Sequence, residues 1–342
     1  MKLVNGSKRT NRTGIVVLNW NSVHDTLECI HSLKASRKVD LSILIIDNGS
    51  ELNALTSLRS HIKQMGGHDI TDNPKARGGD EAREILLWRQ NSNLGFSSGC
   101  NLGIEYFNSR GFKYIFLLNN DAEVTPDTLW QLCKASEEED LALLGALVLD
   151  HNKKVLFSGS HWPYILFGVN GPRISILPSR DRQTSYIEGS ALMIRQDLAK
   201  FALEKRGYWL EPKFFMYCED VDFGMFAKSN GFKSAVIRNA VVYHGHSKSG
   251  GGGGNPLAFY YITRNRLELA RKWCNHPFFA CFVVYYCVTR MFLLINHLLK
   301  ARPTVVQSTM LGLIDGLRGT YGKWSRHDQA FAKKRALAAR SA

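Results

Sequence analysis

The stretch FFMYCEDVDFGMF, residues 214–226, places Glu219, Asp220 and Asp222 within four positions, directly behind the aromatic run Phe214, Phe215, Met216 and Tyr217. A carboxylate walled by aromatic side chains is drawn toward neutrality, which raises its pKa toward that of a useful general base. The same acids equally suit the first turn of a helix, where the macrodipole favours negative charge and Val221, Phe223, Met225 and Phe226 would turn inward. A second set of polar groups lies earlier, at the ends of four apolar runs: Asn19-Trp20-Asn21, Asp47-Asn48-Gly49-Ser50, Asn91-Ser92-Asn93-Leu94-Gly95 and Asn119-Asn120-Asp121. Asx and Gly are ordinary punctuation after strands, so one such end says little. Four in succession converge on one crevice if the runs are neighbouring strands of one sheet.

The chemistry available there is nucleotide and cation binding. Asp47 is placed to accept the N3 hydrogen of a pyrimidine base. Asp121 is a hard oxygen ligand for a divalent cation bridging a diphosphate. His244 closes the run AVVYHGH and completes a carboxylate and imidazole pair with Asp121 that suits Mn²⁺ or Mg²⁺; His246 is an equal candidate by composition. Neither a G-x-G-x-x-G turn nor a phosphate-cradling P-loop is present, and the glycines 250–254 read as a mobile linker rather than a phosphate cradle.

The positioning elements follow from hydrophobic period. Residues 14–20, 41–47, 84–90 and 113–120 read as strands buried on both faces, with a helix over 22–36 and another ending at Gly111. A helix after Thr125-Pro126, strands over 141–150, 185–195 and 234–246, and a long helix over 256–275 continue the pattern; 158–184 reads as loops with short antiparallel strands. Alternating strands and helices predict an α/β fold with a mostly parallel sheet. No internal repeat is visible.

Composition narrows the class. The chain has 342 residues, 44% apolar and 22% charged, which excludes a disordered chain and a polytopic membrane protein. Seven scattered cysteines with no C-x-x-C pair suit a reducing compartment, and the polar first 13 residues show no secretory signal, so a cytoplasmic location is expected. The net charge is +14, and the last fifth of the chain holds ten Lys or Arg against Asp315 and Asp328. That tail follows the apolar run 277–299, long enough to cross a bilayer but interrupted by Arg290; a spanning helix and a core or oligomer helix stay open, and the favoured interfacial helix with its basic tail gives an anionic membrane surface as the expected partner. Nucleic acid is not expected, because no basic platform interleaved with aromatics occurs in the sheet region.

The blocks VVLNWN, IIDNGS, NLGFSSGCN, LLNNDAEV, EGSALMIR, FFMYCEDVDF, VVYHGHS and YYITRNRLELARK occur in an order that resembles family 2 glycosyltransferases, inverting enzymes of the GT-A fold, and among them the rhamnosyltransferase-like branch of bacterial surface polysaccharide synthesis. The resemblance implies a GT-A catalytic domain over 14–272, with a nucleotide-sugar half at 14–125 and an acceptor half at 126–272, between a polar tail at 1–13 and a helical, basic region at 273–342. It assigns Asn19, Asn21, Asp47, Asn93, Gly95, Asn120, Asp121 and Gly189 to the donor, and Asp121 with His244 to a Mn²⁺ or Mg²⁺ ion. Asn119 stands where the first Asp of the family's metal-binding DxD element would be. Asp220 matches the catalytic base, with Glu219 beside it; Tyr217, Arg264 and Asn265 fall on the acceptor side. The implied activity is transfer of a sugar, L-rhamnose from its dTDP donor or a sugar from UDP, onto a lipid-linked saccharide at the inner face of the cytoplasmic membrane, with a homo-oligomer possible. A catalytically silent carbohydrate- or lipid-binding protein of the same fold is the alternative. The Q-x-x-R-W element of processive synthases is absent.

Overall fold

The computed structural model describes residues 12–74, 83–160, 176–245 and 255–326. Its first half is β1 (Arg12–Asn19), α1 (Val23–Lys34), β2 (Asp40–Asp47), α2 (Leu52–Gln64), the short β3 (His68–Asp69), β4 (Ile85–Arg89), α3 (Gly95–Ser109) and β5 (Tyr114–Asn119). The second half adds β6 (Ala122–Val124), α4 (Thr128–Glu139), β7 (Leu143–Leu149), β8 (Val155–Phe157), β9 (Arg182–Gln183), β10 (Ala191–Arg195), α5 (Gln196–Arg206), α6 (Glu219–Ser229) and β11 (Ser234–His244). Three further helices follow, α7 (Pro256–Trp273), α8 (His276–Leu299) and α9 (Pro303–Arg318).

The strands form one mixed sheet in the order β3-β4-β2-β1-β5-β10-β7-β11-β6. β2 is buried without a break from Leu41 to Asp47 and β7 over its whole length, which requires cover on both faces and explains their continuous apolar runs. β1, β2, β4 and β5 are parallel, and their registers bring their ends level: Asn19 pairs with Asp47, Asp47 with Arg89, and Leu18 with Asn119. β10 runs antiparallel between β5 and β7, so its first residues, not its last, lie at the edge where the parallel strands end. Hydrophobic period could not show this reversal, because a strand buried among other strands reads the same in either direction.

Several boundaries differ from the sequence reading. The expected strand 185–195 is regular only over Ala191–Arg195, because Glu188 to Ser190 turn to present backbone to the site. A register shift between Ile237 and Val241 breaks the pairing of β11 with β7 yet keeps His244 at the strand's end. The glycines 250–254 and His246 lie outside the described residues.

α7 and α9 cross closely enough that a Cβ on Gly312 would sit 2.4 Å from the Tyr260 carbonyl oxygen, and one on Gly316 3.0 Å from that of Arg264. Only glycine permits that approach. Beyond α9 the chain returns to the fold: the Trp324 ring stacks on Tyr260 at 4.3 Å, and the Trp324 backbone N–H donates to the Tyr261 hydroxyl at 2.9 Å.

Candidate active site

The levelled strand ends build a buried hydrogen-bond network. Asn19 Nδ2 donates to Asp47 Oδ1 at 2.7 Å and to Ser50 Oγ at 3.2 Å, while the Ser50 hydroxyl and N–H donate to the two oxygens of Asp47 at 2.5 and 3.2 Å. Thr26 Oγ1 donates to Asn19 Oδ1 and accepts from Asn120 Nδ2 at 3.0 Å. Asn19 and Asp47 are both 0% exposed, so they face each other and form the floor of the crevice instead of opening onto it. Asn21 takes a left-handed backbone at φ 55°, which lets its N–H reach Ser50 Oγ at 2.9 Å and its Oδ1 accept from Glu51.

Asn48, which sequence reasoning did not single out, holds the turn ahead of α3. Its Nδ2 donates to Asn93 Oδ1 and to the Gly95 carbonyl, both at 3.1 Å, and its Oδ1 accepts the Leu94 N–H at 2.9 Å. Asn93 in turn accepts the Gly95 N–H. Gly95 sits at φ +82°, and a Cβ there would lie 2.4 Å from the Phe215 carbonyl oxygen, so the donor-side turn presses directly on the aromatic run that precedes the acids.

The expected metal pair is assembled. β6 pairs antiparallel with β11, His244 opposite Ala122, and the Gly245 N–H donates to the Asp121 carbonyl at 2.9 Å. His244 Nε2 then lies 3.0 Å from Asp121 Oδ1 and 3.2 Å from Asn119 Nδ2. A carboxylate oxygen, an imidazole nitrogen and an amide that can present its oxygen fit a hard or borderline divalent cation. Burial first, then Asp121 and Glu123, pushes up the nearby Cys29 thiol. These groups open on a cavity of about 320 Å³ whose walls include Asp25, Glu28, Glu123, Asp150 and His151. Asp150 follows β7, so the rule applied to the first four strand ends would have found it as well; Asp25 and Glu28 belong to a solvated face of α1 and carried no such signal.

The acids at the start of α6 divide their roles by burial. Asp220 is half-buried and accepts the Gly189 N–H at 3.1 Å and the Val221 N–H at 2.8 Å. Gly189 precedes β10 at the edge where β5 ends, as the Asn119 N–H to Ser190 carbonyl bond shows, so Asp220 stands at the same edge as Asp121. Glu219 is 5% exposed, and its Oε2 has no hydrogen-bond partner among the described residues. Burial first, then the neighbouring Asp220, pushes the Glu219 carboxyl well above the usual range and so favours its neutral form. Asp222 is more than a helix-starting acid. At 0% exposure it pairs with Arg206 of α5, with Lys272 Nζ at 2.8 Å and with Trp273 Nε1 at 2.8 Å, tying α6 to α5 and α7.

The backbone behind these acids is strained. Phe215, Tyr217 and Cys218 all have positive φ, at 65°, 67° and 75°. Arg264 and Asn265, expected on the acceptor side, turn inward and hold this loop instead. Asn265 Nδ2 donates to the carbonyls of Phe214, Met216 and Tyr217 at 2.8 to 3.0 Å, and Arg264 donates to those of Phe214 and Gly322. A guanidinium 1% exposed is tolerable only when saturated in this way, which leaves it no free donor side for a sugar. Tyr217 stays half-buried at the rim.

Comparison with known proteins agrees with this geometry. The family model described as Glycosyl transferase family 2 matches residues 14–201. No curated protein matches the sequence. Among solved structures, GalNAc-T7 with UDP, GalNAc and Mn²⁺ superposes with a TM-score of 0.56 at 14% identity, over 77% of this chain and 48% of that one. The mannosyltransferase PcManGT from Pyrobaculum calidifontis, in complex with GDP-Man and Mn²⁺, gives 0.52 at 12% identity over 96% and 81% of the two chains, and residues 1–349 of S. aureus TarS give 0.50 at 12% identity over 92% and 93%. This chain spans 43% of the longer S. aureus TarS chain. At such identities the likeness carries the GT-A fold and no more. The family match, which covers more than half of the chain, shows the family: the protein belongs to glycosyl transferase family 2.

Proposed function

We propose that the protein transfers a sugar, with inversion, from a nucleoside-diphosphate sugar to a saccharide carried on a lipid, and that Asp220 is the base that activates the acceptor hydroxyl. The observation that carries this reading is the contrast at the start of α6, where Asp220 is half-buried and accepts two backbone N–H groups while Glu219 is buried and its carboxyl is pushed well above the usual range. Burial that favours the neutral form makes Glu219 the poorer proton acceptor of the two, which leaves Asp220 as the base. One displacement at the anomeric carbon needs a base on the acceptor face and stabilisation of the departing diphosphate on the other. Asp121, His244 and Asn119 would hold a divalent cation, Mn²⁺ or Mg²⁺, which when bound neutralises charge on the leaving group. The Asn48-braced turn at Asn93 to Gly95 shapes the donor side, and Asn19, Asp47 and Asn120 stiffen the floor beneath it. Solved structures of similar fold with nucleotide or nucleotide sugar and Mn²⁺ support the donor class. Among donors we place dTDP-L-rhamnose first and UDP-sugars second, for a product in surface polysaccharide synthesis.

The test is a panel of dTDP-, UDP- and GDP-sugars with Mn²⁺, Mg²⁺ or EDTA, read by thermal melting and by nucleoside diphosphate release. A donor at 100 times its Kd should stabilise the fold by about 2.7 kcal/mol, and EDTA should remove the effect. Silence toward every donor with either metal would sink the proposal.

A further inference from the structure

The helix α8 is long and apolar enough to cross a bilayer, yet it is built with two unlike faces along its whole length. Phe282 and Tyr286 are 0% and 1% exposed, the Tyr286 hydroxyl donates to the Thr263 carbonyl of α7 at 3.2 Å, and eleven residues on, the buried His297 ring stands edge-on to Phe259 of α7 at 4.9 Å. On the opposite stripe, Val284, Val288, Met291, Phe292, Ile295 and Leu299 are 45 to 84% exposed, spaced at three or four residues. α9 repeats the arrangement: its glycines face α7, and Met310, Ile314 and Leu317 are exposed on the other side.

A helix that spans a membrane offers its circumference to lipid or to other spanning helices; α8 keeps Phe282, Tyr286 and His297 buried against the α/β unit, three positions spread from its second turn to its last, so crossing would pull them away from the fold. We infer that α8 and α9 form a membrane-docking face that lies flat in the headgroup region of an anionic bilayer, with the apolar stripes inserted and the catalytic unit above. Charge selects this occupant over a second copy of the chain. Over residues 275–326 there are six Lys or Arg (Arg290, Lys300, Arg302, Arg318, Lys323, Arg326) against Asp315, and that acid is taken by the Tyr260 hydroxyl at 2.6 Å. Two copies of so basic a face would repel each other, whereas anionic lipid neutralises it. The face is one helix away from the chemistry, since Thr263, which Tyr286 grips, is followed directly by the Arg264 and Asn265 that hold the loop before Asp220. A lipid-carried acceptor would thus reach the site without leaving the membrane; this purpose rests on the proposed acceptor, whereas the docking itself does not.

The experiment is flotation of the full-length protein with phosphatidylcholine vesicles and with vesicles containing phosphatidylglycerol. Binding is expected to the anionic vesicles, to fall at least about tenfold in 0.5 M salt, where screening shortens the reach of charge, and to be reversed by alkaline carbonate. The double variant Phe292→Glu with Leu299→Glu should lose binding at least about tenfold while its melting temperature and its response to nucleotide sugars stay as in the parent, because both side chains are exposed. Failure to float with either vesicle would overturn the inference. So would retention after carbonate, which means a spanning helix, or a stable dimer by light scattering that the double variant dissociates. The nucleotide-sugar response, read on the same preparation, separates these failures from failure of the enzymatic proposal.

Discussion

Asp220 and Glu219 are adjacent carboxylates with opposite fates, and substitution separates them. Asp220→Asn should lower kcat by about 10² to 10⁴ while donor affinity by calorimetry is unchanged, since the loss is of proton transfer and not of binding. Glu219→Gln replaces a neutral acid by a neutral amide, so it should keep kcat within about threefold of the parent. Its signature lies in stability. With its pKa raised in the folded state, Glu219 binds its proton more tightly folded than unfolded, so the parent should lose stability as pH rises from the ordinary carboxylate value of 4.5 toward the folded pKa. Urea melts of the Gln variant across that window should lack this decline; a parent and variant with parallel profiles would show Glu219 to be ionised. For the metal pair, His244→Ala should abolish the Mn²⁺-dependent thermal shift given by donor, read without any activity assay.

At the scale of elements, the site depends on a strained loop held from two sides. Residues 215, 217 and 218 adopt left-handed backbone only because Asn265 of α7 holds the surrounding carbonyls and the α3 N-terminus presses on Phe215. Asn265→Ala removes the amide that the Phe214, Met216 and Tyr217 carbonyls share and should cost about 1 to 3 kcal/mol in denaturant melts, with a fall in kcat as Asp220 loses its aim. Gly95→Ala meets the Phe215 carbonyl and an unfavourable φ together, so it should destabilise by about 1 to 3 kcal/mol and weaken donor binding at the same time. The resemblance put residues 264 and 265 on the acceptor side; their actual targets are backbone carbonyls, which a list of side chains does not reveal.

At the scale of the whole molecule, the C-terminal region is part of the catalytic unit as well as an edge of it. Ending the chain after Arg302 removes the Gly322 carbonyl that Arg264 requires, uncovers Tyr260 where Trp324 stacks, and strips α7 of its glycine-mediated neighbour. A truncated protein should melt at least about 5 °C lower and lose activity on a soluble acceptor, by analogy with the few degrees lost per kcal/mol in domains of this size. If it melts and turns over like the parent, the region serves docking alone.

Sequence alone determined the alternation of strands and helices, the polar strand ends, and Asp121 and His244 as residues to look for side by side, because burial on both faces of a sheet writes continuous apolar runs and the turns that follow them must be polar. It also marked α8 as the most apolar segment and the tail as basic. Tertiary structure alone decided which way β10 runs, that Asn19 and Asp47 face each other, that Arg264 and Asn265 grip a loop, and which of Glu219 and Asp220 reaches water. Those four depend on what lies across the fold from each residue. Burial and hydrogen bonding are properties of pairs distant in the chain, and the identity of a carboxylate does not say whether a charge, a backbone N–H or nothing will stand opposite it.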